Sequence, residues 1–231
     1  MDDTVNDKVN SLIINAFADD NIGLMYGRTG YALTLYIASK NTEEAKADAY
    51  RRFADHLLSN VLTTIPHNFN FSFADGLCGI GWAVEYLINR GFVEGESGHV
   101  LEDLDNDIMI INPRRIGDGL QQGMKGLLHY VLLHISNCVS QGARMPFDNM
   151  FLKDLYSAAC ERAGRTADRS LLNLCGMYIR YMDNHSSLDY NYGVEICYND
   201  SSLDTSRINE ESLSLAEGIC KYILLKSNIK P

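Results

Sequence analysis

Apolar positions along the chain fall into helical stripes. Val5, Val9, Leu12, Ile13 and Ala16 recur at three- and four-residue steps, as do Tyr50, Phe53, Ala54, Leu57, Leu58 and Val61 within residues 43–61. Phe151, Leu152, Leu155, Tyr156 and Ala159 form a third stripe, and Val100, Leu101, Leu104 and Ile108 a shorter one. Side chains three and four apart share one face of a helix, so each stretch reads as an amphipathic helix with one buried side. Asn41, with Glu44 three residues on, is the expected cap of the second. Each stripe is followed by a more apolar helix that opens on glycines. One segment breaks the pattern. In LDYNYGVEICYND, residues 188–200, Tyr190, Tyr192, Val194, Ile196 and Tyr198 alternate with polar or small residues. That period of two predicts a small β-strand or hairpin, whose edge could pair with a partner.

The glycine-opened segments are copies of one another. GLMYGRTGYALTLY from Gly23, FADGLCGIGWAVEYL from Phe73 and GLQQGMKGLLHYVLL from Gly119 share a Gly-x-x-Gly core followed by an apolar run. Their leading glycines, Gly27, Gly76 and Gly123, lie 49 and 47 residues apart. The same period predicts looser copies at Asn173–Gly176 and at Gly218–Lys221. A period of this length holds two helices and two loops. The expected architecture is therefore all-α, with about five pairs of an outer amphipathic and an inner glycine-opened helix.

Glycine inside a helix costs about 1 kcal/mol relative to alanine, so the repeated cores call for a reason. They are not phosphate loops, because no GK[ST] follows and no strand precedes them. GLCGIG, from Gly76, has its glycines in the wrong order for a dinucleotide fingerprint. Close packing of helix starts is what remains, and the exposed amides there favour carboxylates and anions.

Composition narrows the partners. The chain has 231 residues and a formal net charge of −10. Such a surface repels nucleic acid, and the Arg114–Arg115 pair is too small to reverse this. No apolar run is long enough to span a membrane, and the acidic N-terminus is not a secretory signal. Six cysteines without a CxxC read as reduced thiols of a cytoplasmic protein.

The residue before each leading glycine is Tyr26, Asp75, Gln122, Leu172 and Glu217 in turn. With Arg28 and Lys125, the polar members form a candidate ligand-binding rim at the inner-helix mouths. Asp75 and Glu217 could work as an acid–base pair on a carbohydrate, although carboxylates also favour helix N-termini for capping alone. Cys78, Cys175 and Cys220 share one position of the repeat, where cysteine serves as a small apolar residue. His129 and His134, five apart, do not share a helix face well enough to form a metal pair.

The motifs GLMYGRTGYALTLY and FADGLCGIGWAVEYLINRGFVEG resemble those of the lanthionine synthetase C-like (LanC-like) family, whose repeated GLxxGxxGIAxAL opens the inner helices of an α/α toroid. The resemblance spans nearly the whole chain as a single domain, 1–231. It implies a partial or open toroid, since a full family ring has more helix pairs than this length supports. In active cyclases of the family, two cysteines and a histidine from WCYGxPG- and CHGxAG-like motifs hold zinc, which activates a peptide thiol. Here Met25 stands at the first of these positions, and Ala74 and Asp75 at the Cys-His pair. The resemblance therefore implies a zinc-free, cofactor-free pseudoenzyme of peptide modification or maturation, which binds a peptide substrate or a partner modification enzyme. A carbohydrate-active enzyme and a non-catalytic scaffold using the 188–200 strand are the alternatives.

Overall fold

The computed structural model describes residues 3–184, 188–198, 205 and 208–227. Among these it contains ten α-helices: α1 (Asp3–Asn15), α2 (Arg28–Ser39), α3 (Glu44–Thr64), α4 (Leu77–Asn89), α5 (Ser97–Val100), α6 (Glu102–Met109), α7 (Met124–Gln141), α8 (Asn149–Ala163), α9 (Arg169–Asn184) and α10 (Ile219–Lys226). The expected all-α class holds. No described helix is long and apolar enough to cross a membrane.

The alternation of one-sided and fully apolar helices is visible in their burial. α3 buries one stripe, Ala47, Tyr50, Ala54, Leu57, Leu58 and Val61. In α4 every residue from Leu77 to Leu87 is buried. Asn41 does not cap α3. Glu43 holds that position, and the Asn41 amide instead donates to the Ala38 carbonyl at the end of α2.

The chain divides into two compact units, Met1–His67 with Tyr192–Pro231, and Asn68–Asn191. In the first, α2 packs on α3 and on α10, and α10 on α1. In the second, α4 packs on α7, α7 on α9 and α9 on α8.

Four inner helices start from the same turn. The amide following the leading glycine donates to the carbonyl seven residues back: Arg28 to Asn21 at 2.8 Å, Leu77 to Asn70 at 2.9 Å, Met124 to Gly117 at 2.8 Å and Ile219 to Ser212 at 2.8 Å. The glycine itself sits against the carbonyl six residues back. A Cβ on Gly27, Gly76, Gly123 or Gly218 would lie 2.2–2.5 Å from that oxygen. All four have extended φ, from −161° to −102°, so what glycine supplies here is space and not handedness.

Neighbouring turns are laced in the same way in each unit. Phe73 and Ala74 amides both donate to the Gln121 carbonyl, at 2.8 and 3.2 Å. Leu215 and Ala216 amides donate to the Met25 carbonyl at the same two distances. The second glycine of the receiving turn makes room for the donor strand of chain. A Cβ on Gly126 would meet Phe73 Cβ at 2.5 Å, and one on Gly30 would meet Leu215 Cβ at 3.2 Å. The last copy of the turn is thus bonded to the first, as the second is to the third.

The copy expected at Asn173–Gly176 is different. Those residues lie inside α9, which starts at Arg169. Asp168 supplies the cap, its Oδ1 accepting the Ser170 and Leu171 amides at 2.9 and 3.2 Å. A side-chain cap replaces the long turn, and Gly176 loses its close backbone neighbour.

The strand expected over 188–200 is absent from the residues described there. Leu188–Gly193 is irregular and Val194–Cys197 is a 3-10 turn. Residues 199 and 200 lie outside the described set. The tyrosine alternation has another cause: Tyr190 turns inward onto α4 and α7, and the Gly193 amide folds back onto Glu195 Oε1 at 2.9 Å. No strand edge is presented there for a partner.

Candidate functional site

The turns position the residues before the leading glycines. In the second unit, Asn70 Oδ1 accepts the Ser72 amide at 2.9 Å, and Ser72 Oγ accepts the Asp75 amide at 3.1 Å. In the first unit, Ser212 Oγ accepts the Ser214 amide at 3.2 Å, and Ser214 Oγ accepts the Glu217 amide at 3.3 Å. Asp75 and Glu217 therefore occupy equivalent places at the mouths of α4 and α10. Asp75 is half-buried and Glu217 exposed. They belong to different units.

The two rim cations are engaged locally. Arg28 Nη1 donates to Asn60 Oδ1 at 2.5 Å and its Nη2 to the Asp20 carbonyl at 3.4 Å. Lys125 Nζ pairs with Asp168 Oδ2 at 2.8 Å. That hydrogen bond, with the Leu171 amide, holds the Asp168 carboxyl down at about 2. Both cations tie their helices to neighbours. Gln122 is exposed and Tyr26 half-buried.

A family-type zinc site finds no donor set among these residues. Met25 and Ala74 are 1% and 3% exposed. Neither a thioether nor a methyl group replaces a thiolate for zinc, and Asp75 alone is insufficient. The three thiols in the repeat are buried, and burial pushes them up: Cys175 to about 11, Cys220 to about 12 and Cys78 further still. Thiols held protonated are poor metal ligands and poor nucleophiles.

Two buried polar centres lie in the second unit. At one, Tyr190 rests on Trp82 and His129, which stand near the start of α4 and α7. Trp82 Nε1 and His129 Nδ1 each lie 2.8 Å from Tyr190 Oη. An indole nitrogen can only donate, so the Tyr190 hydroxyl oxygen accepts from Trp82, and His129 Nδ1 is its second hydrogen-bond neighbour. Burial, reinforced by the charge of Lys125, pushes His129 down to about 3 and keeps it neutral. Tyr190→Phe removes the acceptor of the buried Trp82 indole N–H. It is expected to cost about 1–3 kcal/mol of stability. Trp82 is the only tryptophan, so the same substitution should shift its emission. An unchanged emission spectrum and unfolding midpoint would show that the contact is dispensable.

The other centre is a charge cluster formed by α4, α5, α6 and α7. His134 Nδ1 lies 2.8 Å from Glu85 Oε1, and its Nε2 lies 2.9 Å from Asp105 Oδ2. Glu85 and His134 are fully buried and Asp105 is 1% exposed. Ser97 Oγ donates to Glu85 Oε2 at 2.9 Å, the Asn137 amide donates to the same oxygen, and the Tyr130 hydroxyl donates to Asp105 Oδ1 at 2.5 Å. Gly81 makes this possible: a Cβ there would fall 2.4 Å from the Tyr130 ring. Both His134 nitrogens face carboxylate oxygens, so the ring is an imidazolium. Burial alone would lower its pKa, but the bonds to Asp105, Cys138 and Glu85 raise it to about 11. His129 and His134 thus serve separate centres. The sequence does carry a signal for the cluster, namely one carboxylate within the apolar run GIGWAVEYL and one imidazole within YVLLHI.

Comparison with protein-family models, curated proteins and solved structures finds no match for the chain.

Proposed function

We propose that the chain is a LanC-like helical-repeat protein that binds a peptide, or the modification enzyme carrying one, without zinc-dependent cyclisation. One observation carries this reading: a single glycine turn recurs at four inner-helix starts, and its last copy is laced to its first. A ring of inner helices needs a seam of that kind. The lacing supports a toroid of about five pairs, in which α9 joins with a side-chain cap in place of the turn.

The donor chemistry supports the zinc-free part. Met25, Ala74 and Asp75 occupy the ligand positions, and the repeat thiols are buried and protonated. Asp75 and Gln122 in one unit, and Tyr26 and Glu217 in the other, offer polar groups suited to a peptide's amides and basic side chains. The free cysteines and acidic surface suit a reducing cytoplasmic setting.

Two measurements test this reading. Zinc titration against a chromophoric chelator should show no one-to-one complex tighter than about 1 μM; tight stoichiometric zinc would overturn the zinc-free claim. On an immobilised peptide library, the protein should retain a subset of sequences, and Asp75→Asn with Glu217→Gln should weaken retention about three- to tenfold. Retention of no peptide would overturn the binding claim.

A further inference from the structure

The four glycine turns are not held alike. The residue six before the leading glycine is Asn21, Asn70, Gly117 and Ser212 in turn, and the residue four before it is Gly23, Ser72, Gly119 and Ser214. In the second turn the Asn70 and Ser72 side chains accept the Ser72 and Asp75 amides, and in the fourth Ser212 and Ser214 do the same for Ser214 and Glu217. The first keeps one such tie, from the Gly23 amide to Asn21 Oδ1 at 2.8 Å. The third has glycine at both positions, so it has no side chain to make either tie. Two glycines also give the unfolded chain more freedom to lose. Its Met124–Gly117 bond is nevertheless 2.8 Å, as in the first and fourth turns.

What replaces the lost ties comes from α8. Arg162 is 1% exposed, and its guanidinium reaches both neighbours of Gly117: Nη2 donates to the Ile116 carbonyl at 2.6 Å and Nε to Asp118 Oδ1 at 2.7 Å. Nη1 donates to the Ala158 carbonyl of its own helix at 3.3 Å, which fixes the group against α8. The planar fork of guanidinium donors makes such bonds together, as a lysine ammonium on its flexible stem does not. The Lys125–Asp168 pair adds a second tie, from α7 to the cap of α9. The Gln121 carbonyl of this same turn accepts the Phe73 and Ala74 amides, so the second turn leans on the third.

We infer that Arg162 is a latch: a positioning residue that holds the third turn, and with it the Gln122 mouth of α7, in the shape that side chains of the other turns hold from within. Formation of that mouth is coupled to the seating of α8. With Arg162 seated the turn is formed; with its donors withdrawn, residues 116–123 open ahead of the other three turns. The latch concerns how the mouth is built and stands whether or not a peptide enters it.

Amide hydrogen exchange of the full chain, read residue by residue by NMR, tests the latch. Arg162→Met keeps an apolar stem in place and removes the donors. It should speed exchange of the Met124, Phe73 and Ala74 amides at least about tenfold more than that of the Arg28 and Ile219 amides in the other unit. Equal acceleration in both units, or none in either, would overturn the proposal. Gly117→Asn with Gly119→Ser supplies the missing ties, and a Cβ at either glycine meets nothing within 4 Å. Added to Arg162→Met, this pair should return the accelerated amides to within about threefold of their rates in the unmodified chain. A folded triple variant in which they stay fast would count against the latch decisively. In the otherwise unmodified chain the pair should slow the Met124 amide about two- to tenfold. That measurement does not depend on Arg162→Met folding, and an unslowed Met124 amide would by itself overturn the inference.

Discussion

His134→Ala is expected to destabilise the protein by about 3–5 kcal/mol at neutral pH, because it leaves two buried carboxylates facing each other without their cation. Glu85 and Asp105 lie at 0% and 1% exposure, so water cannot replace the imidazolium at once. The loss should shrink as pH falls, since protonation of either carboxylate removes the repulsion. Glu85→Gln added to His134→Ala should recover part of it, and that recovery separates the charge effect from the cavity the ring leaves. The intact protein should show the complementary behaviour in alkali. The His134 pKa is raised from 6.5 to about 11 in the fold. Its contribution is complete below the unfolded value and is lost as pH rises through the folded one, so stability should fall by about 1 kcal/mol per pH unit above neutrality. The Asp105 carboxyl, pushed up by burial, has the same sign: its protonated form favours the fold, so raising the pH works against it. Urea midpoints of both proteins from pH 5 to 9.5 test this. A His134→Ala protein with the same alkaline slope as the unmodified chain would show that the cluster is not responsible.

That cluster illustrates what was legible in the sequence and what was not. Apolar period located the outer helices, and the Gly-x-x-Gly copies located the starts of α2, α4, α7 and α10 to the residue. Those features are local, and local physics sets them. Asn173 was misleading because a copy can keep its spacing after its function has passed elsewhere. Here Asp168, five residues earlier, caps α9 by itself. The alternating tyrosines of 188–198 satisfied a strand pattern, yet period two describes any extended chain with alternate residues engaged. Tyr190 is engaged by Trp82 and His129, more than sixty residues away in sequence from the nearer of them. The charge cluster joins four helices spread over residues 85–137, and no spacing rule links them. Only the oddity of a charge in an apolar run marks each member. Tyr26, Asp75, Gln122 and Glu217 each precede the glycine that opens an inner helix, while the partners of the two cations, Asn60 for Arg28 and Asp168 for Lys125, depend on packing that spacing does not encode.

The glycine turn makes the sharpest demand on sequence. Gly76→Ala is expected to cost about 2–4 kcal/mol, whereas Gly176→Ala should stabilise the protein by up to about 1 kcal/mol. Both glycines belong to copies of one motif, and any account of the motif as generic helix packing predicts similar outcomes. Their surroundings differ. A Cβ at Gly76 would lie 2.2 Å from both the Asn70 carbonyl oxygen and Asn70 Oδ1, and 2.6 Å from the Ser72 nitrogen. These are the atoms that build the turn, so relief requires moving the Leu77–Asn70 bond and with it the start of α4. The strain would pass to the chain that Phe73 and Ala74 lace onto Gln121. At Gly176, inside α9, a Cβ meets only the end of the Arg180 side chain at 3.3 Å. That flexible group can shift, and alanine gains the helix propensity that glycine lacks. Gly123→Ala should follow Gly76, since its Cβ would lie 2.5 Å from the Gly117 oxygen. Urea unfolding of the three variants decides the matter. If Gly76→Ala and Gly123→Ala kept the midpoint of the unmodified chain, the carbonyl contact would not be what requires glycine, and the four turns could no longer be read as one device.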